Sequence, residues 1–381
     1  MKNFLFQNPT KLIFGKGSIA KLAQEIPADK KIMLTFGGGS VRENGVYNQV
    51  MDALKNHNCI EFWGIEPNPK VATLRKAIQL GKSEKVDFLL AVGGGSVLDG
   101  TKLISVGIPY HGDAWDIVLN NSLVGDAIPF AAVLTLPATG SEMNKGAVIS
   151  NAETQEKYAF YSNYPQFSIL DPETTFSLPP YQVACGIADT FVHVMEQYLV
   201  DATNSPLMDR WAESILQTLI EIAPKVRQNQ HDYEQMSNFM LSATMALNGF
   251  IAMGVVTDWA THTIGHEITV LTGLTHGETL AIVEPALMRV MKNEKRKKLL
   301  QYAERVWNIS ESDEDKKIEL AIEKTEQFYR SLPLKTRLSE HGIGEDITLQ
   351  IVERFRKRNV QFGENGSITA DTVKEIFDKA R

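Results

Sequence analysis

Five side chains able to bind a metal fall in two short stretches of this 381-residue chain: Asp189 and His193, then His262, His266 and His276. Asp189 and His193 stand four residues apart, and His262 and His266 repeat that spacing, so on helices each pair faces one way. His276 follows the turn Thr272-Gly273-Leu274-Thr275. One carboxylate with neutral imidazoles is a sound ligand set for Zn²⁺ or Fe²⁺. Five candidates exceed a four-ligand site with room for a substrate, and spacing alone leaves open whether His262 or His266 is the ligand. Clustering strengthens the reading, since three of the eight histidines lie in the fifteen residues from 262 to 276. The stretch is not H-E-x-x-H, which excludes the zinc-peptidase motif.

A second kind of chemistry is written in glycine. The tetrapeptide GGGS occurs at residues 37–40 and again at 93–96, each time after an apolar run and before a helix-like one. Backbone N–H groups bared at such a turn suit a phosphate or pyrophosphate. Neither loop is a G-x-G-x-x-G fingerprint, because Leu98 occupies the sixth position from Gly93. Asp99 and Lys102, one turn further on, either reach a ribose or phosphate edge or are solvated. Around Gly37, Gly38, Gly39 and Ser40 no Asp or Glu appears until Glu43, so nothing local repels a 2′-phosphate. Ser40 and the loop amides can hold that phosphate, with Arg42 as helper, which favours NADP(H).

These residues need a scaffold, and the first half of the chain supplies an alternating one. Apolar runs at 31–36 (KIMLTF), 59–64, 87–92 (DFLLAV) and 130–136 (FAAVLTL) read as strands, with helix-like segments at 47–56, 74–84 and 97–105. That alternation predicts a Rossmann-like parallel sheet covered on both faces. After Pro179-Pro180 strand signals nearly stop and helical periods take over. Ser205-Pro206 reads as a cap and first-turn proline, Asp258 as the cap of a helix through Leu271 ended by Gly273, and Thr369 as the cap of a terminal helix. The basic cluster 295–298 reads as the solvated face of a helix. The expected organisation is an α/β dinucleotide-binding domain over residues 1–176 and an all-α metal-binding and substrate domain over 177–381.

Composition sets the outer bounds. With 43% hydrophobic and 22% charged residues the chain reads as globular, and a net charge of −7 offers no basic field for nucleic acid or an anionic membrane. Cys59 and Cys185 are too few for a disulfide framework. Neither a signal peptide nor a membrane helix is legible, so a cytoplasmic protein is expected.

The motifs PTKLIFGKG at 9–17, GGGSV at 37–41, EPNP at 66–69, LLAVGGGSVLDGTK at 89–102, LTLPATGSEMN at 134–144, DTFVHVMEQY at 189–198 and DWATHTIGHE at 258–267 carry a resemblance. Through them the chain resembles the iron-containing (group III) alcohol dehydrogenase family along essentially its full length, in particular its butanol dehydrogenase and NADPH-dependent aldehyde reductase branch. The resemblance implies that Asp189, His193, His262 and His276 hold one divalent ion, leaving His266 beside nicotinamide and substrate as the candidate proton donor. It matches Gly94, Gly95, Ser96 and Asp99 to the pyrophosphate and ribose loop, Thr135 and Thr139 to the nicotinamide lining, Lys157 to a ribose contact, and places Asn144 with the cofactor residues. It further implies a homodimer acting on small aldehydes or alcohols. The family often has Pro before its last ligand histidine, whereas Thr275 precedes His276 here. The same architecture is similar to that of dehydroquinate synthase, whose carboxylated, phosphorylated substrate calls for several Lys and Arg groups. The segments around the histidines offer mostly Thr, Asn, Phe, Trp and Met, which suits an uncharged substrate. A glycerol dehydrogenase-like enzyme and a non-enzymatic metal-binding protein are the remaining alternatives.

Overall fold

The computed structural model describes residues 1–201 and 204–381. The chain forms two compact units: residues 7–178 with 231–244, and residues 1–6 with 179–230 and 245–381.

The first unit is built on a six-stranded sheet of order β1-β8-β5-β4-β2-β3. Its strands are β1 (Lys11–Phe14), β2 (Lys31–Phe36), β3 (Asn58–Phe62), β4 (Phe88–Gly94), β5 (Phe130–Leu136) and β8 (Phe167–Leu170). Every pairing in it is parallel. β6 (Gly146–Asn151) and β7 (Glu156–Tyr161) form a separate antiparallel hairpin. Alternating side chains of the central strands enter two different cores. Ile32, Leu34, Phe36, Leu90, Val92 and Val133 join one; Met33, Leu89, Ala91, Ala132 and Leu134 join the other. A strand buried on both faces must be apolar throughout, which explains the continuous hydrophobic runs.

The connections of β2 and β4 matter most for ligand binding. These strands are neighbours, yet the chain leaves β2 for β3 on one side and β4 for β5 on the other. Both GGGS loops therefore lie at the carboxyl ends of strands flanking a topological switch point, where open α/β sheets bind ligands.

The second unit is helical. It contains the helices Pro180–Tyr198, Pro206–Gln228, Ala260–Thr272, His276–Val290 and, further on, Arg296–Arg305, Glu314–Ser331, Glu345–Arg358 and Ala370–Lys379. Gly273, at φ 74°, ends the third of these as its spacing predicts, and the Thr369 hydroxyl accepts from Thr372 N–H to cap the last. Ser205 gives no side-chain cap to the helix that Pro206 opens.

The basic cluster meets the expectation at Arg296 and Lys297 and departs from it at the two flanking lysines. Lys295 and Lys298 are only 3% and 4% exposed. The Lys295 ammonium donates to Leu199 O and Asp258 Oδ2, both at 2.8 Å, and to Glu364 Oε1 at 3.2 Å. Lys298 donates to both oxygens of Asp209 at 2.6 Å. A charge run reads as surface, but acids from distant parts of the chain pair with these two lysines and compensate their desolvation. No helix among the described residues is long and apolar enough to cross a membrane.

Candidate functional site

Three helices bring the metal-binding side chains together, and glycine lets them approach. A Cβ at Gly277 would lie 2.4 Å from the backbone oxygen of Cys185, so the helix bearing His276 touches the backbone of the helix bearing Asp189. A Cβ at Gly265 would lie 2.9 Å from the side-chain Oγ1 of Thr279, so the His262 helix also packs closely on the His276 helix.

Around Asp189 Oδ1 stand three imidazole nitrogens: His262 Nε2 at 3.5 Å, His193 Nε2 at 3.7 Å and His276 Nε2 at 3.8 Å. These separations are too long for hydrogen bonds. They come close to the spacing of donors around an ion, because ligand bonds of about 2.0–2.2 Å place neighbouring tetrahedral donors about 3.3–3.6 Å apart; His262 lies inside that range, His193 and His276 just beyond it. Asp189 Oδ1 and His262 Nε2 are buried and make no hydrogen bond. Orphaned buried polar atoms of this kind are rare and call for a partner. Asp189, His262 and His276 offer ligand atoms within 4.8 Å of one another, and His193 approaches the same carboxylate oxygen at 3.7 Å, so one carboxylate and up to three imidazoles fit a divalent cation such as Zn²⁺ or Fe²⁺ by chemistry.

The electrostatics point the same way. Burial works to raise the Asp189 carboxyl, but the imidazoles of His193, His262 and His276 outweigh it and hold the group below the usual carboxylate range. Burial likewise opposes charge on His262, yet the Glu196 and Asp189 carboxylates raise its imidazole to about 9.

His266 lies outside this set. Its ring centroid is 4.9 Å from that of His276 and 6.2 Å from that of His262, edge-on to the latter, and it is half-buried. Of the two, His262 turns toward Asp189, and His266 sits beside the cluster.

Glu196, which spacing reasoning passed over, is part of the arrangement. It is 5% exposed, and its Oε2 pairs with His262 Nδ1 while Oε1 accepts from the backbone N–H of Thr261. A signal was present, since Asp189, His193 and Glu196 stand at i, i+4 and i+7 of one helix and share a face.

In the sheet unit, glycine at 93–95 leaves room for close side-chain neighbours. An added Cβ would come within 2.6 Å of Val97 Cγ2 at Gly93, 3.0 Å of Leu136 Cβ at Gly94 and 2.5 Å of Thr139 Oγ1 at Gly95. Ser96 Oγ accepts from Asn68 N–H at 3.3 Å, and the Lys157 ammonium reaches Asn68 Oδ1 at 2.8 Å. Thr135, near the carboxyl end of β5, is 7% exposed.

The solvated alternative for Asp99 and Lys102 does not hold. Lys102 is fully buried, and its ammonium donates to Ser141 Oγ at 2.7 Å, Asn144 Oδ1 at 3.0 Å and Gly146 O at 2.6 Å. Asp99 accepts from Ser141 Oγ at 2.7 Å and from Val148 N–H at 2.9 Å. Burial lowers the Lys102 ammonium to about 8 and raises the carboxyls of Asp99 and nearby Glu142. All three ammonium hydrogens of Lys102 are engaged, so it clips the loop around Thr139 and Asn144 to the helix that follows the glycines.

At the other loop Gly38 and Ser40 are exposed, and Gly39 has φ 114°, a conformation that favours glycine. The Arg42 guanidinium lies 4.0 Å from the Trp63 ring centroid and 3.7 Å from Glu61. The absence of a carboxylate near this loop therefore needs correction: Glu61 arrives from β3. Its oxygens accept from Tyr47 Oη and Trp63 Nε1, both at 2.7 Å.

Comparison with known proteins agrees with this geometry. Residues 9–172 match the family model for iron-containing alcohol dehydrogenase, and residues 183–381 match that for the C-terminal region of the Fe-containing alcohol dehydrogenase family. The NADPH-dependent aldehyde reductase YqhD of Escherichia coli is 48% identical over the full length of both chains. A probable NADH-dependent butanol dehydrogenase of Bacillus subtilis is 42% identical over 99% of each. The crystal structure of YqhD from E. coli K-12 superposes with a TM-score of 0.98, covering 100% of this chain and 99% of that one, at 48% identity. The chain belongs to the iron-containing alcohol dehydrogenase family.

Proposed function

We propose that this protein is a metal-dependent oxidoreductase that transfers hydride between NADP(H) and short-chain aldehydes or alcohols. The observation that carries the reading is the convergence of His193, His262 and His276 Nε2 on Asp189 Oδ1 at 3.5–3.8 Å, with Asp189 Oδ1 and His262 Nε2 buried and making no hydrogen bond. When bound, a divalent ion supplies Lewis-acid polarisation of a carbonyl and NADPH supplies the hydride.

The chain's own residues do the rest. Asp189 with the three histidines fixes the ion. The amides around Gly94, Gly95 and Ser96 hold the pyrophosphate, and Gly37 to Ser40 with Arg42 hold the 2′-phosphate. Thr139 lies against Gly95 and, with Thr135, lines the nicotinamide end. His266, adjacent to the ligand set yet outside it, delivers the proton to the product oxygen from a ring nitrogen. The preference for NADPH rests on the exposed Ser40 and on Arg42, whose guanidinium 3.7 Å from Glu61 offsets that carboxylate.

Consumption of NADPH and of NADH is measured with butanal and a panel of short aldehydes, alongside elemental analysis and light scattering. Butanal-dependent oxidation of NADPH, faster than that of NADH, with one Fe²⁺ or Zn²⁺ per chain in a homodimer, is expected. Equal use of NADH contradicts the cofactor assignment, and no turnover by metal-replete protein contradicts the reaction.

A further inference from the structure

The inference concerns Glu196 and rests on the metal-site reading above. Two helices meet at its side chain. It projects from the Pro180–Tyr198 helix, seven residues after Asp189 and three after His193. Its partner, the Ala260–Thr272 helix, begins without a cap of the ordinary kind, because its N-cap residue is Trp259 in a left-handed conformation, φ 63°, with no side-chain cap bond. The first-turn donors find partners elsewhere. Ala260 N–H donates to Asp258 Oδ1 at 3.0 Å, and Thr261 N–H donates to Glu196 Oε1, with His262 N–H more distant at 3.4 Å. The Glu196 backbone carbonyl also accepts from Asp258 N–H at 2.9 Å. Glu196 and Asp258 thus share the first donors of the helix, and a carboxylate suits the positive end it occupies.

The second carboxylate oxygen, Oε2, meets His262 Nδ1. A carboxylate only accepts, so Nδ1 carries the proton in this pair. Once the imidazole's other proton has left for an ion, the lone pair is on Nε2, the nitrogen that stands 3.5 Å from Asp189 Oδ1. Partners behind a ligand histidine set its tautomer and its ring orientation. We infer that Glu196 is the positioning residue of the metal centre, selecting the Nδ1-protonated tautomer of His262 and locking the helix that delivers it.

Glutamine at this position separates the two duties. With its amide oxygen on Thr261 N–H, its NH₂ group faces Nδ1 and demands the Nε2-protonated tautomer, which has no lone pair for the ion. With the amide reversed, NH₂ opposes the Thr261 N–H donor and the helix start is lost. Aspartate keeps the carboxylate with a shorter reach and restores part of the function.

Zinc dissociation constants are measured by chelator competition for wild type, Glu196→Gln and Glu196→Asp, with circular dichroism to confirm folding. The tautomer of His262 is read by ¹⁵N NMR of the zinc-loaded wild type. Expected are Nδ1 protonation with Nε2 on zinc in the wild type, roughly 10–100-fold weaker zinc binding by folded Glu196→Gln, and intermediate binding by Glu196→Asp. A folded Glu196→Gln protein that binds zinc within twofold of wild type overturns the inference. So does a wild-type His262 that carries its proton on Nε2, and this holds even if the glutamine variant fails to fold. Failure of the wild type to bind any divalent ion removes the functional reading instead, so the two failures are distinct.

Discussion

Gly277→Ala sets two effects of opposite sign against each other. Judged by helix propensity alone, alanine near the start of the His276–Val290 helix stabilises by up to about 1 kcal/mol. Packing opposes it. The new Cβ would lie 2.4 Å from Cys185 O, 2.8 Å from its Cα and 2.9 Å from its carbonyl carbon, all rigid backbone of the facing helix. Relief to ordinary contact, about 3.4 Å or more, requires the helices to part by roughly 1 Å. Overpacking of this kind costs typically about 1–3 kcal/mol. His276 is the residue immediately before Gly277, while Asp189 and His193 ride on the opposite helix. A displacement near 1 Å is several times the tolerance of about 0.2 Å on ligand distances. Zinc affinity is therefore expected to fall at least tenfold, with a lower melting temperature in both metal-free and metal-loaded protein. Differential scanning calorimetry and chelator competition read the two effects. Wild-type zinc affinity together with an unchanged or raised melting temperature would refute the close-contact reasoning.

Three further outcomes are expected. Gly95→Ala, whose Cβ would meet Thr139 Oγ1 at 2.5 Å, should weaken NADPH binding at least tenfold in a fluorescence titration while leaving metal content intact; unchanged NADPH affinity contradicts the loop assignment. Lys102→Met removes three buried hydrogen bonds, to Ser141, Asn144 and Gly146, leaves their acceptors unsatisfied and should destabilise the fold by about 2–4 kcal/mol in denaturant melts; a loss below about 1 kcal/mol would show that the clip is dispensable. Glu284, 2% exposed and accepting from Tyr329 Oη, has its carboxyl raised by burial to about 8. A carboxyl with a raised folded value stabilises the fold below its unfolded value near 4.5 and loses that contribution as pH rises through 8. The melting temperature of wild type relative to Glu284→Gln should therefore fall between about pH 5 and 8.5, and a pH-independent difference contradicts the assignment.

Much of the fold was legible because it repeats a local pattern. Strand runs such as KIMLTF and FAAVLTL coincide with β2 and β5 since strands buried on both faces must be apolar throughout. The paired spacing of Asp189 and His193 marks a helix face before any coordinates are known. Features decided by residues far apart were not legible. The orientation of His262 toward Asp189 is accompanied by a contact with Glu196, 66 positions earlier in the chain. The burial of Lys295 depends on Asp258 and Glu364. Glu61 reaches Arg42 only because β3 pairs with β2. Lys102 looks like a phosphate ligand from its place one turn beyond the glycines, yet Ser141, Asn144 and Gly146 arrive from another loop to engage it.

The decisive comparison is the rate of NADPH oxidation by butanal with metal-stripped protein, with the same protein after one equivalent of Fe²⁺ or Zn²⁺, and with Asp189→Ala treated identically. Turnover that is absent when stripped, restored by the ion in wild type and not restored in Asp189→Ala is the expected result. Turnover that persists in stripped protein, or that Asp189→Ala retains, contradicts a catalytic ion held by Asp189 and the three histidines.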